Sequence, residues 1–234
     1  MTGDGIENNP PLMDLAFPYR LLGSGKDSRE CLFLLHGSGV DETTLVPLAR
    51  RIAPGVTLVA VRGRIPQEDG FRWFERIDPT RFEQKSILAE TAAFAAFARE
   101  AASRHGLDLA STTFLGYSNG ANLVSSLMLL HPGIVRRAAL LRPMPVLDHV
   151  PATDLAGTRT LIIAGAVDET YGPFAPALVT LLSRHGAEID ARIIASGHDI
   201  GDPDAAIVRH WLAGSAAAHV GRQAEPDTQA RSAL

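Results

Sequence analysis

The sequence has one cysteine and no excess of basic residues. Of 234 residues, 22 are Lys or Arg and 26 are Asp or Glu, which gives a formal net charge of −4. Nucleic acids and anionic membrane surfaces attract clustered basic charge, so the charge balance argues against both as partners. The single Cys31 excludes an intramolecular disulfide. No group of Cys and His has the spacing of metal ligands, so no metal site is predicted.

The sequence also lacks a long apolar run and a secretory signal pattern. A membrane-spanning helix needs roughly 20 consecutive apolar residues, and no run approaches that length, so no membrane span is predicted. The N-terminus MTGDGIENNPPLMDL has neither a basic segment nor an apolar segment of the secretory kind. We therefore expect a cytoplasmic protein.

The composition is that of one globular domain, with 46% hydrophobic and 21% charged residues. Residues 1–15 and 214–234 are small and polar without periodicity, and they are predicted to be flexible tails. Between them, over 16–213, short β-rich runs alternate with helical stretches. This alternation predicts a single α/β domain whose mostly parallel central sheet has helices on both faces.

Three local features complete the organisation. The run FPYRLLGSGKDSRECLFLLH has a turn signal between two strand candidates and predicts an antiparallel hairpin that opens the sheet. An alanine-rich helix is expected near 80–105. Segment 62–79 carries Trp73 and Phe74 among charged and turn-forming residues, so a long loop is expected at the carboxyl end of a strand, where such sheets bind ligands.

The strongest chemical signal is LGYSNGAN at 115–122, which fits the pattern G-x-S-x-G between a strand and a helix. Gly116 and Gly120 allow a tight turn that exposes the hydroxyl of Ser118. At the start of the helix, the backbone N–H of Asn119 is free to donate to an oxyanion. Ser118 is the predicted nucleophile; the alternative is that it merely caps the helix.

A serine nucleophile needs a base, and His198 is the best placed of the eight histidines. Three other histidines lie at the predicted C-terminal ends of helices, where a cation interacts favourably with the helix dipole: His105, His131 and His185. His198 follows the strand candidate ARIIA in the loop SGHD, so it should emerge at the same edge of the sheet as Ser118.

Asp168 is the predicted acid that orients this base. It follows the strand candidate TLIIAGAV, and the order Ser118, Asp168, His198 is that of a Ser-Asp-His triad of the α/β-hydrolase kind. Asp148, which follows the preceding strand, is the alternative acid, and either aspartate could simply stabilise a turn.

The segment His36-Gly37-Ser38-Gly39 follows an apolar strand and predicts a loop that turns its amides toward the substrate. We assign the second oxyanion N–H to Ser38, with Gly37 as the alternative donor. His36 is expected to hold this loop by hydrogen bonds.

Taken together, LFLLHGSGVDE, VAVRGR, RWFER, LGYSNGAN, IIAGAVDE and SGHD occur in an order that resembles one known group. It is the phospholipase/carboxylesterase/acyl-thioesterase branch of the α/β-hydrolases, which includes small bacterial serine esterases. The likeness covers about 30–210.

The resemblance implies a compact hydrolase with little or no cap domain that needs no cofactor and is often a homodimer. It implies a serine carboxylesterase acting on short- to medium-chain esters, with Ser118, Asp168 and His198 as triad and with Ser38 and Asn119 as oxyanion donors. The substrate pocket would include Trp73, Phe74 and Gly39.

Some alternatives stay open. An acyl-thioesterase or lysophospholipase would use the same residues, and a non-catalytic module could bind a small ligand on this fold. Residues 167–171 (VDETY) depart from the family, whose members often have Asp-Pro at this point. Arg142 could face an acidic substrate group or form a structural ion pair, of which the ion pair is favoured.

Overall fold

The computed structural model describes residues 10–23, 30–67 and 70–223. Its main feature is a seven-stranded sheet with the order β1-β3-β2-β6-β7-β8-β9. Strands β2, β3, β6, β7, β8 and β9 are parallel, whereas β1 runs antiparallel to β3. The elements in chain order are β1 (Tyr19–Leu22), β2 (Cys31–Leu35), α1 (Val46–Ile52), β3 (Thr57–Val61), β4 (Ile65–Gln67), β5 (Gly70–Arg72), α2 (Gln84–His105), β6 (Thr112–Tyr117), α3 (Asn119–Leu130), β7 (Arg137–Leu141), β8 (Arg159–Gly165), α4 (Ala175–Arg184), β9 (Glu188–Ile194) and α5 (Asp202–Gln223).

Helices cover both faces of this sheet, as predicted. All five residues of β2 are buried, and their side chains alternate between two apolar cores. Phe33 packs in the core under α2, α3 and α4, whereas Leu34 packs in the core under α1 and α5. The predicted α/β-hydrolase architecture is therefore confirmed.

Helix α2 begins four residues later than predicted because a side chain caps it. The carboxylate of Glu83 accepts a hydrogen bond from the Ser86 amide at 2.6 Å, and this satisfies one of the free N–H groups at the helix start. The helix ends at His105, before Gly106, whose φ of 65° is the left-handed conformation that terminates helices.

The predicted opening hairpin is wrong. Strand β1 pairs with β3 rather than with β2, because β2 is already hydrogen-bonded to β3 on one side and to β6 on the other. β1 is only partly buried, which suits an edge position, whereas β2 is buried throughout and suits the centre. The predicted turn GSGKDS is at 23–28, and all of it after Gly23 lies outside the described residues.

The tail boundaries also differ from the expectation. Leu12 exchanges two backbone hydrogen bonds with Tyr19, so the chain before β1 already lies against the sheet edge. Helix α5 continues past residue 213 to Gln223, and the alanines at 216–218, which are strong helix formers, favour this extension. Residues 1–9 and 224–234 are outside the described part. In 10–23, 30–67 and 70–223, no helix is long and apolar enough to span a membrane.

The segment 62–79 is not a plain loop, since β4 and β5 form an antiparallel hairpin within it. Phe71 of this hairpin pairs with Val40, which follows β2. The hairpin is thus fixed beside the carboxyl ends of the parallel strands, where segments 36–40, 116–119 and 195–199 also lie.

Candidate active site

Ser118 occupies the turn between β6 and α3 in a conformation that only a constrained site maintains. Its φ is 51° and its ψ is −115°, which is rare for a residue with a Cβ. Its amide donates to the Leu141 carbonyl at 2.8 Å, and its side chain makes no capping bond to the helix. The alternative that Ser118 caps the helix is therefore wrong, and its hydroxyl is free for another partner.

Two close backbone approaches impose this turn. A Cβ at Gly120 would lie 2.1 Å from the carbonyl oxygen of Leu35, and a Cβ at Gly116 would lie 2.6 Å from the Cα of Ala121. Both distances are far shorter than any real contact. The glycines on either side of Ser118 thus let α3 begin directly on the ends of β2 and β6.

The structure brings Ser118, His198 and Asp168 into one chain of hydrogen bonds. His198 Nε2 lies 3.0 Å from Ser118 Oγ, and His198 Nδ1 lies 2.7 Å from Asp168 Oδ2. With Asp168 accepting from Nδ1–H, Nε2 is unprotonated and can accept the hydroxyl proton. This is the geometry of an activated serine nucleophile.

Asp168 is buried and held in its charged form. Burial alone raises the pKa of this carboxyl, but hydrogen bonds from the Tyr171 amide and from His198 outweigh it, so the pKa is lowered below its ordinary value. The alternative acid, Asp148, is exposed and its amide donates to Gln84, away from His198. Asp168 is accordingly the acid that the geometry favours.

Two tyrosines that the sequence analysis did not single out flank the His198 ring. The ring of Tyr171 lies 4.7 Å from that of His198, and the Tyr117 hydroxyl donates to the His198 carbonyl at 3.2 Å. Tyr171 stands where the sequence departs from the family pattern, and its amide also orients Asp168. A tyrosine three residues after the predicted acid was the available signal.

Arg142 is a structural ion pair that also fixes the loop carrying His198. Its guanidinium makes two hydrogen bonds to Asp204, at 2.8 and 3.1 Å, with both side chains buried. It also donates to the carbonyls of Gly197 and Asp199, which flank His198. Of the two interpretations offered for Arg142, the structure supports the ion pair.

The loop after β2 reaches the same place from the other side. Ser38 and Asn119, the predicted oxyanion donors, both line the cleft in front of Ser118. His36 is buried, and its Nε2 accepts from the Gly63 amide at 2.9 Å, so its Nδ1–H donates to the Gly37 carbonyl. Burial lowers the pKa of His36 to about 4, which keeps it neutral. The expected structural role of His36 agrees with these bonds.

The prediction that Trp73 and Phe74 line the substrate pocket is wrong. Both side chains are fully buried in the core, where aromatic neighbours surround them. Trp73 instead holds the site together: its amide donates to Asn119 Oδ1 and its indole N–H donates to the His36 carbonyl, each at 2.8 Å. From the sequence alone, a large aromatic side chain in a charged segment is compatible with lining a pocket or with packing in the core. Only the contacts in the folded chain distinguish the two roles.

Gly39, the third predicted pocket residue, is also absent from the cleft lining. Its amide donates to the Phe71 carbonyl at 3.0 Å, and its φ is 79°. A Cβ on Gly70 would come within 2.4 Å of the Gly39 backbone, so the two glycines let the hairpin and the loop after β2 touch.

The cleft itself is small and mixed in character. Its volume is about 280 Å³, counting the open mouth. Phe82, Met144 and Pro79 supply apolar surface, whereas Arg72, Arg76 and Asn122 supply polar groups. Phe82 lies just before α2, and Arg72 is the last residue of β5 in the hairpin. The cleft can therefore hold a small organic group against Ser118.

Comparisons with known proteins show what the chain as a whole is similar to. No model of a known protein family matches the chain. A curated protein of Bacillus subtilis (strain 168), named "Putative hydrolase MhqD", is 31% identical over 185 residues, which are 79% of this chain and 92% of that protein. The crystal structure of a carboxylesterase from Mesorhizobium loti is 89% identical and covers 89% of this chain and 100% of that chain, with a TM-score of 0.87. The Bacillus cereus carboxylesterase is 26% identical and covers 86% of this chain and 96% of that one, with a TM-score of 0.82.

The neutral, buried His36 predicts a loss of stability in mild acid. Its pKa is lowered from 6.5 to about 4 in the folded protein, so the unfolded chain binds a proton that the folded chain does not. This contribution to the free energy of unfolding is full above pH 6.5, decreases as the pH falls toward about 4, and amounts to about 3 kcal/mol.

Urea unfolding measured between pH 4.5 and 7 checks this. We expect the His36→Gln variant to be less stable than the wild type at pH 7 but to have a flatter dependence on pH, since the titrating group is gone. Equal slopes in the two proteins would show that His36 does not remain neutral on folding.

Arg142 gives a second prediction. Arg142→Met leaves the buried Asp204 without its cation, so we expect a loss of about 3–5 kcal/mol in the free energy of unfolding. Arg142→Met combined with Asp204→Leu removes both charges and should recover a large part of this loss. Urea unfolding of the two variants and of Asp204→Leu completes the cycle, and strictly additive losses would contradict a direct pair.

Proposed function

Since the chain belongs to the phospholipase/carboxylesterase branch of the α/β-hydrolases, we propose that it hydrolyses short- to medium-chain carboxylic esters through a Ser118-His198-Asp168 triad. That the chain is an ester hydrolase follows from its carboxylesterase neighbours. The triad rests chiefly on one observation, the unbroken chain of hydrogen bonds from Asp168 through His198 to Ser118.

In the first step, Ser118 Oγ attacks the ester carbonyl while His198 Nε2 takes the hydroxyl proton. The imidazolium that forms is stabilised by Asp168, whose lowered pKa keeps it an anion at neutral pH. The hydrogen bonds that position Asp168 and the Arg142 bonds that hold the His198 loop reduce the reorganisation that this proton transfer requires.

The carbonyl oxygen becomes negatively charged as the tetrahedral intermediate forms. The backbone N–H groups of Ser38 and Asn119 are the proposed donors to this oxygen. Asn119 begins α3, and the first amides of a helix have no partner within it, so this N–H is available. The bond from the Trp73 amide to the Asn119 side chain fixes the residue's orientation before the substrate arrives.

His198 then returns the proton to the leaving alcohol, which departs and leaves the acyl group on Ser118. Water enters the same cleft, gives a proton to His198 and attacks the acyl-enzyme, and collapse of the second intermediate regenerates Ser118 and releases the acid. No cofactor takes part in this scheme.

The dimensions of the cleft support small substrates. The cleft is narrow and open to solvent, and a few side chains, among them Phe82, Met144 and Pro79, form its apolar lining. An acyl-thioesterase or lysophospholipase would use the same triad, and these activities are separated by substrate rather than by geometry. The expected homodimer and the cytoplasmic location stay predictions.

Replacing the proposed nucleophile tests the function. Ser118→Ala should lower kcat/KM on p-nitrophenyl esters by at least about a thousandfold, because the oxyanion donors alone cannot replace the nucleophile. Ser125→Ala is the matched control: this serine lies in the same helix, where its hydroxyl donates to the Asn122 carbonyl. We expect it to keep wild-type activity.

The measurement is a series of p-nitrophenyl esters from acetate to palmitate, with oxygen esters and thioesters of equal chain length compared in parallel. A maximum at short or medium chains is the expected result. Substantial activity in a folded Ser118→Ala variant would eliminate the triad, and a strong preference for thioesters would assign the protein to the thioesterases.

A further inference from the structure

The cleft in front of Ser118 contains more positive charge than the structure neutralises. Arg72, Arg76 and Arg142 line it, and no Asp or Glu is among its lining residues. Arg142 is neutralised by Asp204. Within 10–23, 30–67 and 70–223, neither Arg72 nor Arg76 forms an ion pair with a carboxylate. Two positive charges therefore border the nucleophile without a counter-ion from these residues.

Arg72 is the more unusual of the two because it is buried. Only 6% of its surface is exposed, and the one hydrogen bond of its side chain within the described residues runs from Nη2 to Ser38 Oγ at 3.0 Å. Its Nε–H is buried without an acceptor. A buried guanidinium without an anion is costly, and proteins seldom keep one unless it binds something.

A second donor next to Ser118 also lacks an acceptor. The Oδ1 atom of Asn119 accepts from the Trp73 amide, so the side-chain orientation is fixed and its Nδ2 must be the donor. This Nδ2 is buried and unpartnered in the described structure. Two residues of the cleft lining, Arg72 and Asn119, thus each have one buried donor without an acceptor among the described residues, and no Asp or Glu lines the cleft.

Arg76 adds charge at the mouth. It is exposed, four residues after Arg72 along the segment that follows β5, and it lines the same cleft. Desolvation lowers the pKa of Arg72, and the nearby charge of Arg76 lowers it further, which agrees with two guanidinium groups facing one space. A bound anion would relieve both effects.

We propose that Arg72 and Arg76 form a carboxylate-binding subsite beside Ser118, so that the preferred substrates are small esters that also carry a free carboxylate. Half-esters of short dicarboxylic acids are one such class. This inference rests on the proposed esterase function and names its substrate class. Arginine suits the role because its planar guanidinium matches a carboxylate and stays charged at every physiological pH.

The size of the cleft limits where the carboxylate can be. The Ser38 hydroxyl accepts from Arg72, and the backbone N–H of the same residue is a proposed oxyanion donor. The positive charge of Arg72 therefore lies close to the proposed position of the ester carbonyl. Ser118 and the two arginines line one narrow cleft, so the spacer between the ester carbonyl and the carboxylate must be short. The carboxylate can belong either to the acyl part or to the alcohol part.

The test compares charged esters with neutral esters of the same shape. For the acyl side the pair is monomethyl succinate and methyl 4-oxopentanoate; for the alcohol side it is acetoxyacetate and acetoxyacetone. We expect the wild type to favour the charged member of at least one pair in kcat/KM by about tenfold or more, mainly through KM. The preferred pair identifies the side that carries the carboxylate.

Two variants assign this preference to residues. The quantity to compare is kcat/KM for the charged ester divided by kcat/KM for its neutral partner, because a general loss of activity cancels in this ratio. Arg72→Gln and Arg76→Gln should each lower the ratio, and Arg72→Gln should lower it more. Arg99→Gln, an exposed arginine on α2 outside the cleft, is the matched control and should keep the wild-type ratio. Since Arg76 is exposed, its variant stays informative if Arg72→Gln does not fold.

The outcomes separate the subsite from the function. Wild-type ratios near one in both pairs, or ratios that neither cleft variant changes, overturn the carboxylate subsite while ester turnover still supports the esterase. If no ester in either pair or in the p-nitrophenyl series is hydrolysed, the proposed function itself is overturned. High salt should raise KM for the charged ester only, because it screens the arginines.

Discussion

The contact between Gly120 and the end of β2 is the constraint on which the site depends. No side chain fits there, since a Cβ would lie 2.1 Å from the Leu35 carbonyl oxygen. Helix α3 therefore starts directly against β2, and the residue between β6 and α3 must turn through a positive φ. Ser118 is that residue. The same approach places the start of α3 beside the loop after β2, so that one packing contact brings the proposed nucleophile and the proposed oxyanion donors together.

Buried polar bonds then fix the loops around this contact. Trp73 donates to the His36 carbonyl and to Asn119, and His36 in turn accepts from Gly63, so three loops and the start of α3 form one network. Such bonds are strong in a dry interior and costly to break singly. The network gives Trp73, a large aromatic residue in an otherwise charged segment, a structural role.

The sequence predicted those parts of the site that depend on local pattern. Ser118 was recognisable because the glycine spacing of its turn is a short-range requirement, and Asp168 and His198 because each directly follows an apolar strand. Strand order was not predictable in the same way. Although β1 and β2 are neighbours along the chain, β3 and β6 occupy the two edges of β2, and this pairing depends on long-range packing. The predicted pocket roles of Trp73 and Phe74 were wrong for the same reason, because the burial of an aromatic side chain is a property of the whole fold.

Arg142 and Arg72 show why contacts rather than residue type decide the role of a charged side chain. Both are buried arginines at the edge of one cleft. Arg142 donates to the Asp204 carboxylate, which neutralises its charge within the protein. It also donates to four carbonyl or hydroxyl oxygens and so fixes the loop that carries His198. The side chain of Arg72 donates to one serine hydroxyl among the residues that the structure describes. Because an unpaired buried charge is costly, the fold alone explains the first arginine, whereas the second is the basis of the proposed carboxylate subsite.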